Sequence, residues 1–427
     1  MIDYRLLGVL LLMGVLPTLY RTVRIHFLGD LPVDWGYNIA SQLTWLSVTY
    51  EVVHEALMLP MFFLIGRFIH DDTSFSRVVS NGLLLIGALY ASLSLLTIAF
   101  ADPMVRFMAQ KDDLVSATVT YIRIEAVGLT IAAFARYLTL VLITIKEDRR
   151  LLVLLAIQMG LSVLLDTFLV SSLPFSLHLG VNGIAFTNIL VNAVLVTVSL
   201  LMLLGCGVRP FGPGFRIDWS WLGDWFKVGG LSGLESFVRN AAFVLMVVRL
   251  VNVVQQQGTF WVMNNFIWGW LLFPILALGD LVKRDTAANE DAVLTRTPAY
   301  VFLTAGVVGI WFLTIPAWQW FVSTVMGVPN PGIVFRLALI SLAFYVVFAF
   351  NNIADSVFYG RGRTDLMLYQ SLIVNLLFYG GAYILYRAGI YSPTLTKITV
   401  MFGAGIAFDS AITFVMFARF RRKLVRA

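Results

Sequence analysis

Charge and sulfur are scarce in this chain. Only 13% of its 427 residues are charged, whereas 59% are hydrophobic. A soluble protein of this length could not cover its surface with so few polar side chains. The single cysteine, Cys206, excludes a disulfide within the chain. Four histidines and no HExxH motif argue against a protein metal centre.

The sequence also lacks the features of an enzyme. No nucleophile–base pair, metal cluster or phosphate-binding loop is recognisable, so we expect neither catalysis nor a cofactor. The formal net charge of +6 reflects where lysines and arginines lie in loops. It does not indicate a nucleic-acid partner.

What the chain does have is long apolar runs. A run of about 20 apolar residues crosses the ~30 Å hydrocarbon core as a helix, and these runs are too long and too unalternating for barrel strands. The sequence therefore predicts an all-α polytopic membrane protein with twelve transmembrane helices. The predicted spans are 6–28, 39–66, 79–101, 117–145, 151–173, 180–204, 221–252, 258–282, 298–323, 333–360, 365–387 and 394–418.

Loop charge predicts the orientation of these spans. Most of the 30 lysines and arginines fall in alternate loops and in the C-terminal tail. The positive-inside rule then places both termini in the cytoplasm. The basic tail serves as a topology signal, with binding to anionic lipid as the alternative.

The chain divides into two similar halves. Residues 205–220 form a loop rich in glycine and proline, which separates a lobe at 1–204 from a lobe at 221–427. Pro60 and Pro274 occupy matching places in the halves, and each is expected to kink its helix and act as a bending point. Six spans per half make the repeats parallel, an arrangement typical of transporters that work by alternating access.

Several segments resemble one family. YIRIEAVGLTIAAFARYLTLVLITIKEDRRLLVLLAIQMGLSVLLDTFLV and the following GVNGIAFTNI are similar to helices four to six of multidrug and toxic compound extrusion (MATE) transporters. YGRGRTDLML at 359–368 resembles the second copy of their cytoplasmic turn. The resemblance implies two pseudo-symmetric six-helix lobes and secondary transport in a prokaryotic cytoplasmic membrane. In such transport, a small organic substrate leaves as sodium ions or protons enter.

The resemblance also points to Asp166. MATE proteins place a fifth-helix carboxylate there, which holds the coupling cation together with an aspartate on the first helix. At that first-helix position this chain has Arg24, and Ser162 replaces an expected asparagine one turn before Asp166. A buried carboxylate suits coupling, because desolvation and a nearby cation move its pKa in opposite directions. The alternative role for Asp166 is that of a structural partner.

The first span contains two arginines, although placing one arginine at the bilayer centre costs at least ~2.5–3.5 kcal/mol of insertion free energy. Their presence therefore needs an explanation. One hypothesis pairs Arg24 with Asp166, Glu51 or Glu55, as a tethered cation in place of a diffusible one. In the other, Arg21 and Arg24 extend to the interface and have no part in coupling.

One turn of the second span concentrates ionisable groups. Glu51, His54 and Glu55 share a helix face at positions i, i+3 and i+4. The turn is a candidate proton-coupling or substrate site. The alternative is that these groups pair with arginines of the first or fourth helix. We do not expect a metal ion here.

The second half contributes further candidates. Glu235 and Arg239 are spaced for an ion pair along one helix. Asp355 and Asp409 lie in the tenth and twelfth spans as charge-pair or substrate-binding candidates. Arg24 and Arg239 hold equivalent places in the two halves and would suit an anion if both faced the cleft.

The sequence thus favours a secondary active exporter of drug-like or metabolite substrates by Na⁺- or H⁺-coupled antiport, acting as a monomer in the bilayer. The alternative is a flippase for an anionic lipid-linked sugar or another anionic substrate, held by cleft arginines.

Overall fold

The computed structural model describes residues 4–66, 72–145, 147–212, 215–220, 222–289 and 291–426. Regular structure within these ranges is helical, without a β-strand. Long apolar sequences form helices in a membrane because a helix satisfies its own backbone hydrogen bonds where water is absent.

Long helical segments account for each of the twelve predicted spans. In chain order they are α1 (Tyr4–Gly29), α2 (Leu43–Gly66), α3 (Asp72–Ala99), α4 (Val115–Thr144), α5 (Asp148–Leu169), α6 (Val181–Gly205), α7 (Leu222–Phe243, continuing through a π-helical turn Val244–Val248 into Arg249–Val253), α8 (Gln257–Phe266, a π-helical turn Ile267–Leu271, then Phe273–Ala288), α9 (Thr297–Trp320), α10 (Pro331–Gly360), α11 (Thr364–Ile373, a π-helical turn Val374–Tyr379, then Gly380–Arg387) and α12 (Leu395–Arg426).

Ten of the helices in the described residues are long and apolar enough to cross a membrane, and the broken α8 makes an eleventh. The remaining helix, α2, has 24 residues. At 1.5 Å per residue it is about 36 Å long, which exceeds the ~30 Å core. The predicted all-helical membrane architecture is confirmed.

Packing divides the chain into two compact units. One contains residues 30–244, and the other contains Met1–Gly29 together with Leu245–Ala427. This division assigns α1 to the unit formed mostly by the second half, and the first part of α7, Leu222–Phe243, to the unit formed mostly by the first half. The predicted lobes at 1–204 and 221–427 describe a duplication of the sequence, and that division stays a prediction.

In the unit of residues 30–244, α7 packs on α2, and α4 packs on α6, α3 and α2. Gly233 allows the first of these contacts. A Cβ at Gly233 would lie 2.7 Å from the Cβ of Ala56. Small residues at such crossings let transmembrane helices approach closely, and here they bring α7 against the charged turn of α2.

In the other unit, α10 packs on α12, α8 and α9, and α1 packs on α8. Helix α10 begins at Pro331, a residue favoured in the first turn because the N–H it lacks would have no helical partner. It ends before Gly362, whose φ of +66° is available to glycine without strain. These residues define the two ends of α10, which carries the candidate residue Asp355.

Helix α8 is broken in the middle of its span. Its two parts meet at an angle of 51°, and Pro274 lies in the first turn after the break. Three carbonyls near the break accept side-chain hydrogen bonds. Gly269 is bonded by Thr18 Oγ1 at 3.1 Å, Leu271 by Trp311 Nε1 at 3.0 Å, and Ile275 by Asn352 Nδ2 at 3.0 Å. Side chains of neighbouring helices therefore donate hydrogen bonds to the backbone carbonyls near the bend.

Pro60 lies within α2, whose helical backbone continues to Gly66. Its side chain lies outside the described residues, so its role as a bending point stays a prediction.

Replacing Trp311 with Phe should destabilise the protein by roughly 1–3 kcal/mol, because the Leu271 carbonyl would lose its donor in a buried place. The measurement is the thermal unfolding midpoint of purified protein. Trp318→Phe is the matched control on the same helix. Trp318 is equally buried, but it donates to the Thr314 hydroxyl at 3.1 Å rather than to a carbonyl at a break. Equal losses in both variants would contradict the importance of the break.

Candidate functional site

The charged turn of α2 is held by arginines from two other helices. Both carboxylate oxygens of Glu55 lie 2.9 Å from Nη2 of Arg239 on α7. Glu51 Oε2 lies 3.5 Å from Nη1 of Arg136 on α4. The two carboxylates and two guanidinium groups balance in charge. Between the glutamates, His54 Nδ1 is buried and makes no hydrogen bond within the described part of the chain.

The observed partners match the predicted pairing with arginines of the first or fourth helix for Glu51 only. Glu51 pairs with an arginine of the fourth helix, whereas the partner of Glu55 comes from α7. The side chain of Glu235 lies outside the described residues, so its predicted pairing with Arg239 stays a prediction.

The side chains of these ion pairs are only partly covered by the rest of the protein. The side chains of Arg136 and Arg239 are 52% and 46% exposed, and those of Glu51 and Glu55 are 44% and 23% exposed. Pairs exposed to this degree contribute little to stability, typically ~0.2–1 kcal/mol. Such pairs can open and exchange partners at small cost, as a binding site requires.

The predicted coupling carboxylate is deeply buried. Asp166 on α5 is only 1% exposed, and Ser162 one turn earlier is 3% exposed. Arg24 places its guanidinium carbon 4.7 Å from the centroid of the Tyr20 ring on the same helix. This cation–π contact is one way to offset part of the cost of an arginine in a span. The pairing of Arg24 with Asp166 stays a prediction, and Arg21 is exposed.

A second buried carboxylate in this unit was not among the predicted site residues. Glu125 on α4 is 1% exposed and accepts a hydrogen bond of 2.8 Å from Asn188 Nδ2 on α6. Glu125 lies within the apolar fourth span, and Asn188 lies in the GVNGIAFTNI segment that opens the sixth. An acid in one span and an amide in another are visible in sequence, but their contact depends on the packing of α4 on α6.

Asp355 and Asp409, predicted as separate candidates, come together in the other unit. The Nδ2 group of Asn351 donates to both, at 2.9 Å to Asp355 Oδ2 and 3.4 Å to Asp409 Oδ2. Gln370 Nε2 donates to Asp409 Oδ1 at 2.8 Å, and Thr413 Oγ1 donates to Asp355 Oδ1 at 3.5 Å. We call these five residues the aspartate pair and its donors.

Sequence reasoning missed the three donors, although two carried a signal. Asn351 precedes Asp355 by four residues, and Thr413 follows Asp409 by four. Polar pairs at this spacing share a helix face. Gln370 carries no such spacing to either aspartate, because it comes from a third helix, α11. Among the described residues, no group of three or more His, Cys, Asp or Glu is arranged to hold a metal ion.

Comparison with known proteins identifies the fold. Residues 69–168 match the MatE family model. An inward-facing MATE family multidrug resistance transporter of the MOP superfamily aligns with a TM-score of 0.74 at 18% identity, covering 96% of this chain and 94% of that chain. The chain has the MATE fold. The family resemblance seen in the sequence is confirmed, and no curated protein sequence matches.

Two more MATE-fold structures are similar over nearly the whole chain. An outward-facing MATE family transporter has a TM-score of 0.66 at 17% identity, covering 99% of this chain and 95% of that chain. A MOP superfamily transporter from Pyrococcus furiosus, described as having a binding pocket of reverse polarity that suggests a different function, has a TM-score of 0.67 at 17% identity, covering 98% and 95%. MATE family members are transporters rather than enzymes, and they take small substrates across a membrane.

The Glu55–Arg239 pair should show a measurable but small coupling energy. A double-mutant cycle with Glu55→Gln and Arg239→Gln should give about 0.5–1 kcal/mol, since both oxygens bond to a guanidinium that is partly exposed. The cycle of Glu51→Gln and Arg136→Gln is the matched control. Its 3.5 Å contact should couple more weakly. Unfolding in detergent measures both cycles, and a stronger Glu51–Arg136 coupling would contradict the geometry.

Proposed function

We propose that this protein is a secondary active exporter of organic compounds, driven by sodium ions or protons that enter as substrate leaves. Transport follows alternating access, a mechanism supported by the inward-facing and outward-facing states named for two similar structures. The protein acts as a monomer in a prokaryotic cytoplasmic membrane, with both termini in the cytoplasm and no cofactor beyond the coupling ion.

The charge balance of the α2 turn carries this proposal. Arg136 and Arg239 are each ion-paired to a glutamate of the same unit. Arginines neutralised in this way present no excess positive charge to an anionic substrate. The arrangement therefore favours cationic or neutral substrates, which can compete for the glutamates or pack against apolar walls.

Asp166 is the proposed coupling group, and the α2 turn contributes to the same region. Its carboxylate is almost fully buried on a membrane helix. An ionisable group in that position is costly and is typically retained for ion or proton transfer. Binding of a cation there would offset the negative charge during one part of the transport cycle.

The alternative function is a flippase for an anionic lipid-linked sugar. One comparison is consistent with this alternative. The Pyrococcus furiosus protein of this fold is described as having a binding pocket of reverse polarity. Arg24 and Arg21 would then bind the phosphate groups. The two functions differ in the charge of the substrate.

The deciding experiment uses purified protein in proteoliposomes, with a sodium or a proton gradient imposed one at a time. One of the gradients should drive movement of a fluorescent cationic dye. Asp166→Asn should abolish that movement while the variant still folds. The matched control is Asp102→Asn, which removes an exposed carboxylate that pairs with Arg106 in the short helix Ala101–Phe107.

Unchanged dye transport by Asp166→Asn would reject Asp166 as the coupling group. If neither gradient moves the dye but an anionic lipid-linked sugar is moved, the flippase is the correct function. Loss of that activity in Arg24→Gln would then identify the anion site.

A further inference from the structure

The C-terminal part of α12 changes its chemistry along one exposed side. Phe408, Val415 and Arg422 follow one another at intervals of seven residues, which is about two helical turns. The two apolar side chains are 36% and 53% exposed, and Arg422 is exposed as well. Exposed apolar side chains on a membrane helix face lipid chains. This side of α12 therefore passes out of the hydrocarbon between Val415 and Arg422.

Two more cations lie on the same side of the helix. Arg419 lies one turn beyond Val415, Lys423 lies one turn beyond Arg419, and both are exposed. From Arg419 to Lys423 the helix advances by about 6 Å. The headgroup layer on each side of the ~30 Å hydrocarbon core is about 5–7 Å thick. Arg419, Arg422 and Lys423, which we call the basic surface of α12, therefore fit the depth of one headgroup layer.

The opposite side of this segment is held by packing. Phe417, Phe420 and Leu424 lie at positions i, i+3 and i+7 and pack against a buried core formed mainly by α8, α9 and α10. The rings of Phe417 and Phe420 make edge-to-face contacts with Phe358, at centroid distances of 6.1 and 5.8 Å. The last turns of α12 are therefore docked on the protein rather than a free tail, and the basic surface keeps its orientation.

The charge of the basic surface is not matched by the protein. The ion pairs among the described residues do not include Arg419, Arg422 or Lys423. The exposed carboxylate of Asp365, on the neighbouring helix α11, is already paired with Arg363. Like charges three or four residues apart on a helix repel each other. An anion that relieves this repulsion must come from outside the described part of the chain.

We propose that the basic surface of α12 binds the headgroups of anionic phospholipids in the leaflet that surrounds this end of the helix. Guanidinium groups match the geometry of a phosphate, and lysine binds it as a point charge. Clusters of basic residues next to a span attract anionic lipids. A topology signal requires only that the charges be present during insertion. A lipid-binding surface also requires them on the side of the helix that faces lipid, where Arg422 continues the line of Phe408 and Val415.

Lipid binding at this surface goes beyond the proposed transport function. Bound headgroups would hold the last turns of α12 against the core, so anionic lipid should stabilise the folded protein. The test needs neither a substrate nor an ion gradient. Failure of dye export and failure of lipid binding are therefore separate observations.

The experiment measures the thermal unfolding midpoint of purified protein in a neutral detergent. Phosphatidylglycerol, or phosphatidylcholine with the same acyl chains, is added to the micelles. Phosphatidylglycerol should raise the midpoint by a few degrees more than phosphatidylcholine, and added salt should reduce this difference. The triple variant Arg419→Gln, Arg422→Gln, Lys423→Gln should abolish it. Equal midpoints of the unaltered protein in the two lipids would overturn the proposal.

The matched control removes three exposed cations from the other end of α10, α11 and α12, namely Arg336, Arg387 and Lys397. Replacing all three with Gln lowers the net charge by the same amount and should keep the extra stabilisation. The double variant Arg419→Lys, Arg422→Lys preserves the charge of the basic surface and should retain most of the effect. An equal loss in the control would show a response to net charge alone and would also overturn the proposal.

Native mass spectrometry of the detergent-solubilised protein supplies a second measurement, by counting retained lipids. The triple Gln variant should bind phosphatidylglycerol about tenfold or more weakly, since each cation near an anionic surface contributes roughly fivefold. Inorganic phosphate at the same concentration should neither raise the midpoint nor displace the lipid. If phosphate alone reproduces the stabilisation, the surface binds soluble anions and the inference of lipid binding is wrong.

Discussion

The constraint behind this structure is that hydrocarbon offers no hydrogen-bond partners. Every polar group at membrane depth must find one inside the protein. Regular helices meet this demand for most of the backbone, and the break in α8 meets it with side chains. Thr18, Trp311 and Asn352 each donate to a carbonyl close to the 51° bend. An irregular backbone is tolerated there because side chains from three neighbouring helices donate hydrogen bonds to its carbonyl groups.

Carboxylates face the same constraint, and the chain meets it in two ways. In residues 30–244, Glu51 and Glu55 are each matched by an arginine. In the other unit, Asp355 and Asp409 are surrounded by amides and a hydroxyl, which carry no charge. An arginine neutralises a carboxylate permanently, because it stays protonated. Neutral donors orient a carboxylate without neutralising it.

The sequence predicted the parts of this fold that depend on composition. Run length was sufficient to predict the long membrane helices, and the matched motifs were sufficient to predict the MATE fold. The partners of individual charges could not be predicted, because they depend on which helices pack together. Arg239 is spaced to pair with Glu235, yet its observed bonds reach α2 because Gly233 lets α7 approach Ala56 closely. Likewise, Gln370 reaches Asp409 from α11, a contact without a periodic signal in the sequence.

Exchange of ions and substrates imposes a limit on how strongly the charges can be held. A fully buried ion pair leaves an uncompensated charge when it opens, at about 3–5 kcal/mol, whereas an exposed pair opens for about 1 kcal/mol or less. The pairs on α2 have side chains up to half exposed and belong to the second class. Exchange of ion-pair partners at that turn therefore costs little free energy. Asp166, at 1% exposure, belongs to the opposite extreme. Burying a charge is costly unless it is paired, and this cost is why the proposal of ion coupling rests on Asp166 rather than on the α2 turn alone.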